Sequence, residues 1–145
     1  MPKHHLADPA LAARLLRADV PALLDNSVPG PSVPRHGTLL GALFESLVTL
    51  SVRVYAQALE ASVYHLRTRN GDHEVDLLVK RDDHRVVALE VKLAPTVGDE
   101  AVVHLAWLKE RLGAELLDAA VITTGRHAYR RPDGIAVVPA ALLGP

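Results

Sequence analysis

Two carboxylates and one amine in the segment 73–92 have the types and spacing needed for phosphodiester chemistry. In this segment, HEVDLLVKRDDHRVVALEVK, Asp76 stands in one apolar run, and Glu90 and Lys92 end the next. Side chains alternate between the two faces of a strand, so Glu90 and Lys92 share a face. A hairpin would bring Asp76 to the same edge of a sheet. Such a set suits a hard divalent cation that promotes phosphodiester cleavage.

Each of these residues has an expected role. Asp76 and Glu90 are the expected ligands of Mg²⁺ or Mn²⁺, and the main-chain carbonyl of Val91 is a further candidate ligand. Lys92 is expected to orient the attacking water and to offset the charge of the phosphate. Glu45 lies in a predicted helix, from which it could add a third carboxylate. The catalytic candidates are therefore Asp76, Glu90, Lys92 and Glu45, and the metal candidates are Asp76, Glu90 and Val91.

A purely structural interpretation of the same residues stays open. Alternating charged residues are common on half-exposed strands, so Glu90 and Lys92 alone predict only a polar pair on the wet face of a sheet. Asp76 and Glu45 weaken that interpretation without removing it. The histidines have no metal-binding spacing such as H-E-x-x-H. His73 is the histidine nearest the carboxylates in sequence and could shuttle protons.

The segments around these residues predict an α/β domain. Helical patterns are expected at 8–18, where Asp8 caps the helix and Pro9 opens it, and at 38–60 and 99–112. Strands are expected at 63–67, 74–80, 86–92, 119–124 and 135–138. The order of helix, three meandering strands, helix and strand predicts a central mixed sheet of four to five strands flanked by helices. We expect one domain over 1–145, with a helix and a Pro/Gly-rich loop at 1–37 and the core at 38–145.

Composition excludes several other classes of protein. The 145 residues include no cysteine, so disulfides, thiolate metal sites and cysteine nucleophiles are excluded. The net charge of −1 gives no overall basic footprint for nucleic acid, although arginines cluster at 67–69 and 126–131. The N-terminus lacks the apolar core of a signal peptide, and charged residues interrupt each apolar stretch. We therefore expect a cytoplasmic protein without a membrane partner.

The arrangement of the acidic residues resembles a known nuclease core. A helix with Glu45, a strand with Asp76, a strand with Glu90-Val91-Lys92, a helix and a strand are similar to the PD-(D/E)xK, or restriction-endonuclease-like, superfamily. The proline of the motif name is absent, since Glu74 and Val75 precede Asp76. The resemblance implies a restriction-endonuclease-like fold and a magnesium- or manganese-dependent nuclease. It also implies nucleic acid as the partner, with DNA as the first expectation.

A closer resemblance links the chain to the C-terminal domain of unknown function carried by archaeal-type AAA+ ATPases. The segments that carry it span nearly the whole chain and include GALFE at 41–45, HLRT at 65–68, EVD at 74–76, EVK at 90–92 and TTG at 123–125. Members of that family usually have an ATPase with a P-loop upstream, which this sequence lacks. We therefore expect a free-standing remnant or a piece whose ATPase has been left out, and an AAA+ ATPase becomes a candidate partner.

Three functions are open on the sequence alone. The first is a metal-dependent nuclease of the ATPase-associated type without its ATPase. The second is a non-catalytic interaction or oligomerisation module with a nuclease-like fold, for which the near-neutral charge and a homodimer would be the expected signs. The third is a folded domain whose site is idle. The presence of all of Asp76, Glu90 and Lys92 argues against the third.

Overall fold

The computed structural model describes residues 8–24 and 39–144 of the chain. The chain divides into two compact units, Met1–Leu50 and Ser51–Pro145. The predicted Pro/Gly-rich loop at 26–37 lies outside the described residues.

The first unit holds two short helices and the beginning of a long one. Helix α1 spans Pro9–Leu15, and its N-cap, Asp8, accepts a hydrogen bond from the backbone N–H of Ala10 at 2.8 Å. The predicted cap and the proline at the start of this helix are confirmed. Helix α2 spans Val20–Leu24 and was not predicted. It repeats the same pattern, since the side chain of Asp19 accepts the N–H of Ala22 at 2.9 Å.

Helix α3, which spans Leu39–Ala58, confirms the longest predicted helix. Its length and its mean hydropathy of 1.4 would let it cross a membrane, and 22% of the apolar window is buried. Glu45 and Arg53 interrupt its apolar sequence, as expected, but the helix still passes a test based on length and mean hydropathy alone. Core helices of water-soluble proteins pass the same test of length and composition.

The second unit is built on one six-stranded mixed sheet. The strands are β1 (Ser62–Arg67), β2 (Glu74–Lys80), β3 (Val86–Val91), β4 (Leu116–Thr123), β5 (Tyr129–Arg130) and β6 (Ala136–Pro139). Their order in space is β1-β2-β3-β4-β6-β5. Neighbouring strands from β1 to β3 are antiparallel, β3, β4 and β6 are parallel, and β5 is antiparallel to β6. The α/β class and the mixed sheet are confirmed, but the sheet has six strands, which is one or two more than the four to five expected.

The parallel pairing of β3 with β4 requires a crossover, which helix α4 provides. Helix α4 spans Val103–Leu112, and a single 3-10 turn, Asp99–Ala101, precedes it. The predicted helix at 99–112 therefore begins as 3-10 structure. It ends as predicted at Gly113, whose φ of +51° is easy for a residue without a side chain.

The core of the second unit is aliphatic and lies between α4 and the sheet. Helix α4 contributes Leu105 and Leu108, which are buried against residues of four strands or strand ends. The buried members of this cluster are Val75, Ala88, Val102, Leu105, Leu108, Ala119, Val121 and Ile135. Helix α4 therefore covers one face of the sheet across β2, β3 and β4, and the candidate residues lie on or directly after β2 and β3.

Candidate active site

Strand β2 contains an extra residue at the position of Asp76. Tyr64 of β1 pairs with Leu78 of β2, and Leu66 pairs with Val75, so β2 advances three residues while β1 advances two. Val75 and Leu78 consequently pack in the same core cluster although they are three residues apart. The alternation of side chains between the two faces of β2 is therefore interrupted around Asp76. Such bulges bend a strand and re-aim its side chains, often beside functional sites.

Strands β2 and β3 part at the level of the two candidate acids. Their backbone pairing ends at Leu77 and Leu89, although β3 continues to pair with β4 through Val91. Beyond Leu77 and Leu89, hydrogen bonds from backbone N–H groups to side chains replace the backbone–backbone hydrogen bonds between the two strands. The N–H of Asp76 donates to Oε2 of Glu90 at 3.2 Å, and the N–H of Val91 donates to Oδ2 of Asp76 at 2.9 Å. Each carboxylate is thereby held against the backbone of the other strand.

Glu90 is a buried carboxylate in an electrostatically unfavourable place. The residue is 4% exposed, and its pKa is raised to about 7, first by burial and then by the charge of Asp76. Lys92 opposes this rise, since its Nζ donates to Oε1 of Glu90 at 3.3 Å. The lysine side chain is 41% exposed, so solvent weakens its effect. The ionised form of Glu90 is therefore disfavoured in the free chain, and a cation bound beside it would favour that form.

His65 supports the bulge from the neighbouring strand. Its Nδ1 lies 3.3 Å from the main-chain oxygen of Asp76, and because a carbonyl only accepts, this nitrogen is the donor. Its Nε2 is 3.5 Å from Oε1 of Glu74, close enough for an ion pair when the ring is protonated. The other oxygen of Glu74 is 3.8 Å from Nε of Arg67. His65 thus holds the backbone at Asp76 in place. The sequence did not predict this contact, because no local pattern indicates the bulge in β2.

The sequence-predicted residues fall into two groups. The structure brings together Asp76, Glu90 and Lys92, and the backbone of Val91 joins them through its N–H. Whether the carbonyl of Val91 binds a metal stays a prediction. Glu45 is half-buried on α3 and belongs to the first unit, so its part in the site also stays a prediction.

The described part of the chain contains no group of three or more His, Cys, Asp or Glu side chains arranged to hold a metal ion. The carboxylate pair is nevertheless a suitable donor set for Mg²⁺ or Mn²⁺. Mg²⁺ commonly binds through one or two carboxylates and keeps several waters. Both carboxylates already accept hydrogen bonds, but each oxygen has a second lone pair to offer. A cation beside Glu90 would offset the cost of ionising this buried acid next to Asp76.

Comparison with known proteins gives a family but no activity. The family described as "Domain of unknown function (DUF4143)" matches residues 40–143, which is more than half of the chain. The comparison with curated proteins gave no match. The matched stretch includes Glu45 and the whole carboxylate site. The family description names no activity.

Proposed function

The chain belongs to the DUF4143 family, and we propose that it is a metal-dependent nuclease that hydrolyses phosphodiester bonds at Asp76, Glu90 and Lys92. The observation that carries the proposal is the pair of acids Asp76 and Glu90, each of which accepts a backbone N–H from the other's strand. Glu90 is buried, and the ammonium of Lys92 donates to it. A buried acid with a raised pKa beside a second acid is costly for stability and is typical of a functional site. The proposal includes the PD-(D/E)xK fold, which the mixed sheet is consistent with.

Asp76 and Glu90 would hold the metal ion, with the carbonyl of Val91 as a further ligand. A bound Mg²⁺ or Mn²⁺ would polarise the phosphoryl group and make a water molecule more acidic. Asp76 is suited to holding an ion because its backbone is fixed on both sides. His65 holds its carbonyl, and Glu90 holds its N–H.

Lys92 would act on the water and the phosphate. Its Nζ is 3.3 Å from Oε1 of Glu90, so it lies beside the carboxylate pair, and its partial exposure leaves N–H donors facing solvent. An ammonium in that position can orient the attacking water and offset the charge that develops on the phosphate. The carboxylate of Glu90, once it has lost its proton, is placed to accept a hydrogen bond from the same water.

DNA is the proposed substrate, and an AAA+ ATPase is the proposed partner. Both come from the resemblance of the sequence to nuclease-like domains of such ATPases. A local cluster of arginines on β5 and the turn after it is engaged in ion pairs, since Arg130 binds Asp118 and Arg131 binds Asp99 and Asp133. These arginines therefore support the fold of the sheet edge and add little to a nucleic-acid surface. A cytoplasmic location fits these partners and is part of the proposal.

The decisive experiment is cleavage by the purified full chain with its single-residue variants. Supercoiled DNA, linear DNA and single-stranded RNA are incubated with Mn²⁺, Mg²⁺ or EDTA, and products are resolved on gels. We expect metal-dependent cleavage that Asp76→Asn, Glu90→Gln and Lys92→Met each abolish. The matched control is Lys80→Met, which removes a lysine at the opposite end of β2 and should cleave normally. Absence of cleavage, or cleavage that all three variants retain, would reject the proposal.

A non-catalytic docking function is the second candidate. It is favoured by the terminal strand β1, where Tyr64 is 54% exposed, and by the exposed apolar residues Val54 and Leu59. Open strand edges and exposed apolar side chains are common features of protein interfaces. Light scattering combined with calorimetric titration separates the candidates. A tight magnesium-independent dimer that binds no metal would favour docking.

A further inference from the structure

A pair of histidine side chains, separate from the carboxylate site, lies between the start of β2 and helix α4. Nδ1 of His73 is 3.4 Å from Nδ1 of His104, and the two rings meet edge to face with centroids 5.6 Å apart. His73 directly precedes β2, and His104 lies in the first turn of α4. Neither histidine takes part in the contacts of the carboxylate pair. The pair is therefore a separate feature, made by two elements of the second unit.

The ring of His73 is held in place by Trp107. The two rings are stacked with centroids 4.0 Å apart and an angle of 8° between their planes. On α4, the guanidinium of Arg111 lies 5.7 Å from the centre of the tryptophan ring. Both histidines are half-buried, which restricts their rotamers further. A donor that is already held loses little conformational freedom when it binds a ligand.

We propose that His73 and His104 bind one transition metal ion, such as Zn²⁺ or Ni²⁺, through their Nδ1 atoms. Two nitrogens that are each about 2.0–2.1 Å from a tetrahedral ion are about 3.3–3.4 Å apart. The observed separation of 3.4 Å equals that spacing. Without an ion, one Nδ1–H donates to the other Nδ1, and an ion takes the place of that proton. Water completes the coordination.

The chemistry of the donors separates this site from the carboxylate pair. Imidazole suits zinc, nickel and copper, whereas carboxylates, carbonyls and water suit magnesium and manganese. The two sites should therefore select different ions. Structural zinc sites use four protein ligands, so a site with two protein ligands is expected to bind more weakly and to exchange its ion. The proposal does not rest on the nuclease function.

The fluorescence of Trp107 can be used to measure ion binding at this site. Trp107 is the single tryptophan of the chain, and it stacks on one of the two proposed ligands. A paramagnetic ion bound to His73 would lie close to the indole and quench its fluorescence. Titration of the full chain with Ni²⁺ is expected to give saturable quenching that fits one bound ion per chain, with excess Ni²⁺ needed to reach saturation. Mg²⁺ at the same concentrations should leave the fluorescence unchanged.

Four variants make the test specific. His73→Phe keeps an aromatic ring against Trp107 but removes the nitrogen, and His104→Ala removes the second ligand while the stack remains. Each variant should lower the affinity for Ni²⁺ at least roughly tenfold. Even the loss of a residue that only hydrogen-bonds to a metal ligand typically costs that much affinity. His127→Ala, which removes an exposed histidine, and Asp76→Asn should leave the affinity unchanged. Circular dichroism confirms that each variant is folded.

Several results would overturn the proposal. Absence of saturable quenching would do so, as would quenching that survives in both His73→Phe and His104→Ala. Loss of quenching in Asp76→Asn would assign the ion to the carboxylate pair instead. X-ray absorption of the zinc-loaded wild-type chain gives a check without variants, and it should detect two imidazole nitrogens at about 2.0–2.1 Å. A spectrum with oxygen ligands only would also reject the site.

Discussion

The carboxylate of Asp76 accepts the backbone N–H of Val91 at 2.9 Å, so the acid of β2 is fixed to the main chain of β3. This contact takes the place of a backbone ladder bond at the point where the two strands part. It sets the position of the acid before any ligand arrives. It also means that the side chain at this position serves structure and the proposed chemistry together, and the two roles can be separated by substitution.

Asp76→Ala is expected to destabilise the fold more than Asp76→Asn. Alanine leaves the N–H of Val91 without its acceptor, and an unsatisfied buried donor costs about 1–3 kcal/mol. Asparagine keeps an acceptor oxygen and loses only the charge. The measurement is urea unfolding of both variants at pH 8, with Asp72→Ala, at an exposed turn position, as the control. Equal destabilisation by the two substitutions would show that the hydrogen bond contributes nothing measurable.

The free energy of unfolding should fall as the pH rises from about 4.5 to about 7. The pKa of Glu90 is raised from 4.5 to about 7 in the folded chain, so the folded state holds a proton in that window that the unfolded state has lost. Above pH 7 the penalty is complete and is on the order of 3 kcal/mol. Glu90→Gln should remove this slope, and Glu110→Gln, at an exposed helix position, should keep it. Chemical unfolding at several pH values measures both, and a wild-type slope that Glu90→Gln retains would contradict the assignment.

Binding of Mn²⁺ near pH 6.5 is expected to release up to one proton. In the free chain Glu90 is largely protonated at that pH because its pKa is about 7, and a metal ligand must be ionised. Calorimetric titration in buffers with different ionisation enthalpies measures the proton count. The count should fall towards zero at pH 8.5, where Glu90 is already ionised. Proton release that Glu90→Gln leaves intact would place the linked group elsewhere.

His65→Ala is expected to weaken both the fold and the binding of Mn²⁺. It removes the donor to the Asp76 carbonyl at the bulge, a loss of about 1–3 kcal/mol when the acceptor stays buried. Because the bulge positions the Asp76 carboxylate, the affinity for Mn²⁺ should fall as well. His65→Asn retains a side-chain donor and should restore part of the affinity, whereas His127→Ala should change neither property. Unfolding and calorimetry separate a fold defect from a defect in positioning.

Much of the fold follows from local patterns in the sequence. Alternation and turn residues located β2 at Glu74–Lys80 with its observed bounds, and helical periodicity located α3 within a few residues of each end. The two-residue strand β5 is too short to show a period, and its pairing with β6 depends on contacts made across the sheet. Helix α2 carried a cap and a proline that could have revealed it.

The geometry of the candidate site could be predicted only in part from local sequence patterns. The spacing of Glu90 and Lys92 within one strand placed them side by side, as observed. The position of Asp76 depends on the register of β2 against β1 and against β3, which is set by non-local pairing and has no local signature. The roles of these residues, including that of Glu45, stay predictions, because the family description names no chemistry.

The extra residue in β2 also has a consequence for how such a domain can change over generations. Deleting Leu77 would let β1 and β2 pair without interruption and would keep every residue of the aliphatic layer under α4. It would also change the register of Asp76 against β3, where Leu77 now pairs with Leu89. Loss of a single codon would therefore be enough to move Asp76 away from Glu90 in a chain that keeps the residues of the same aliphatic core.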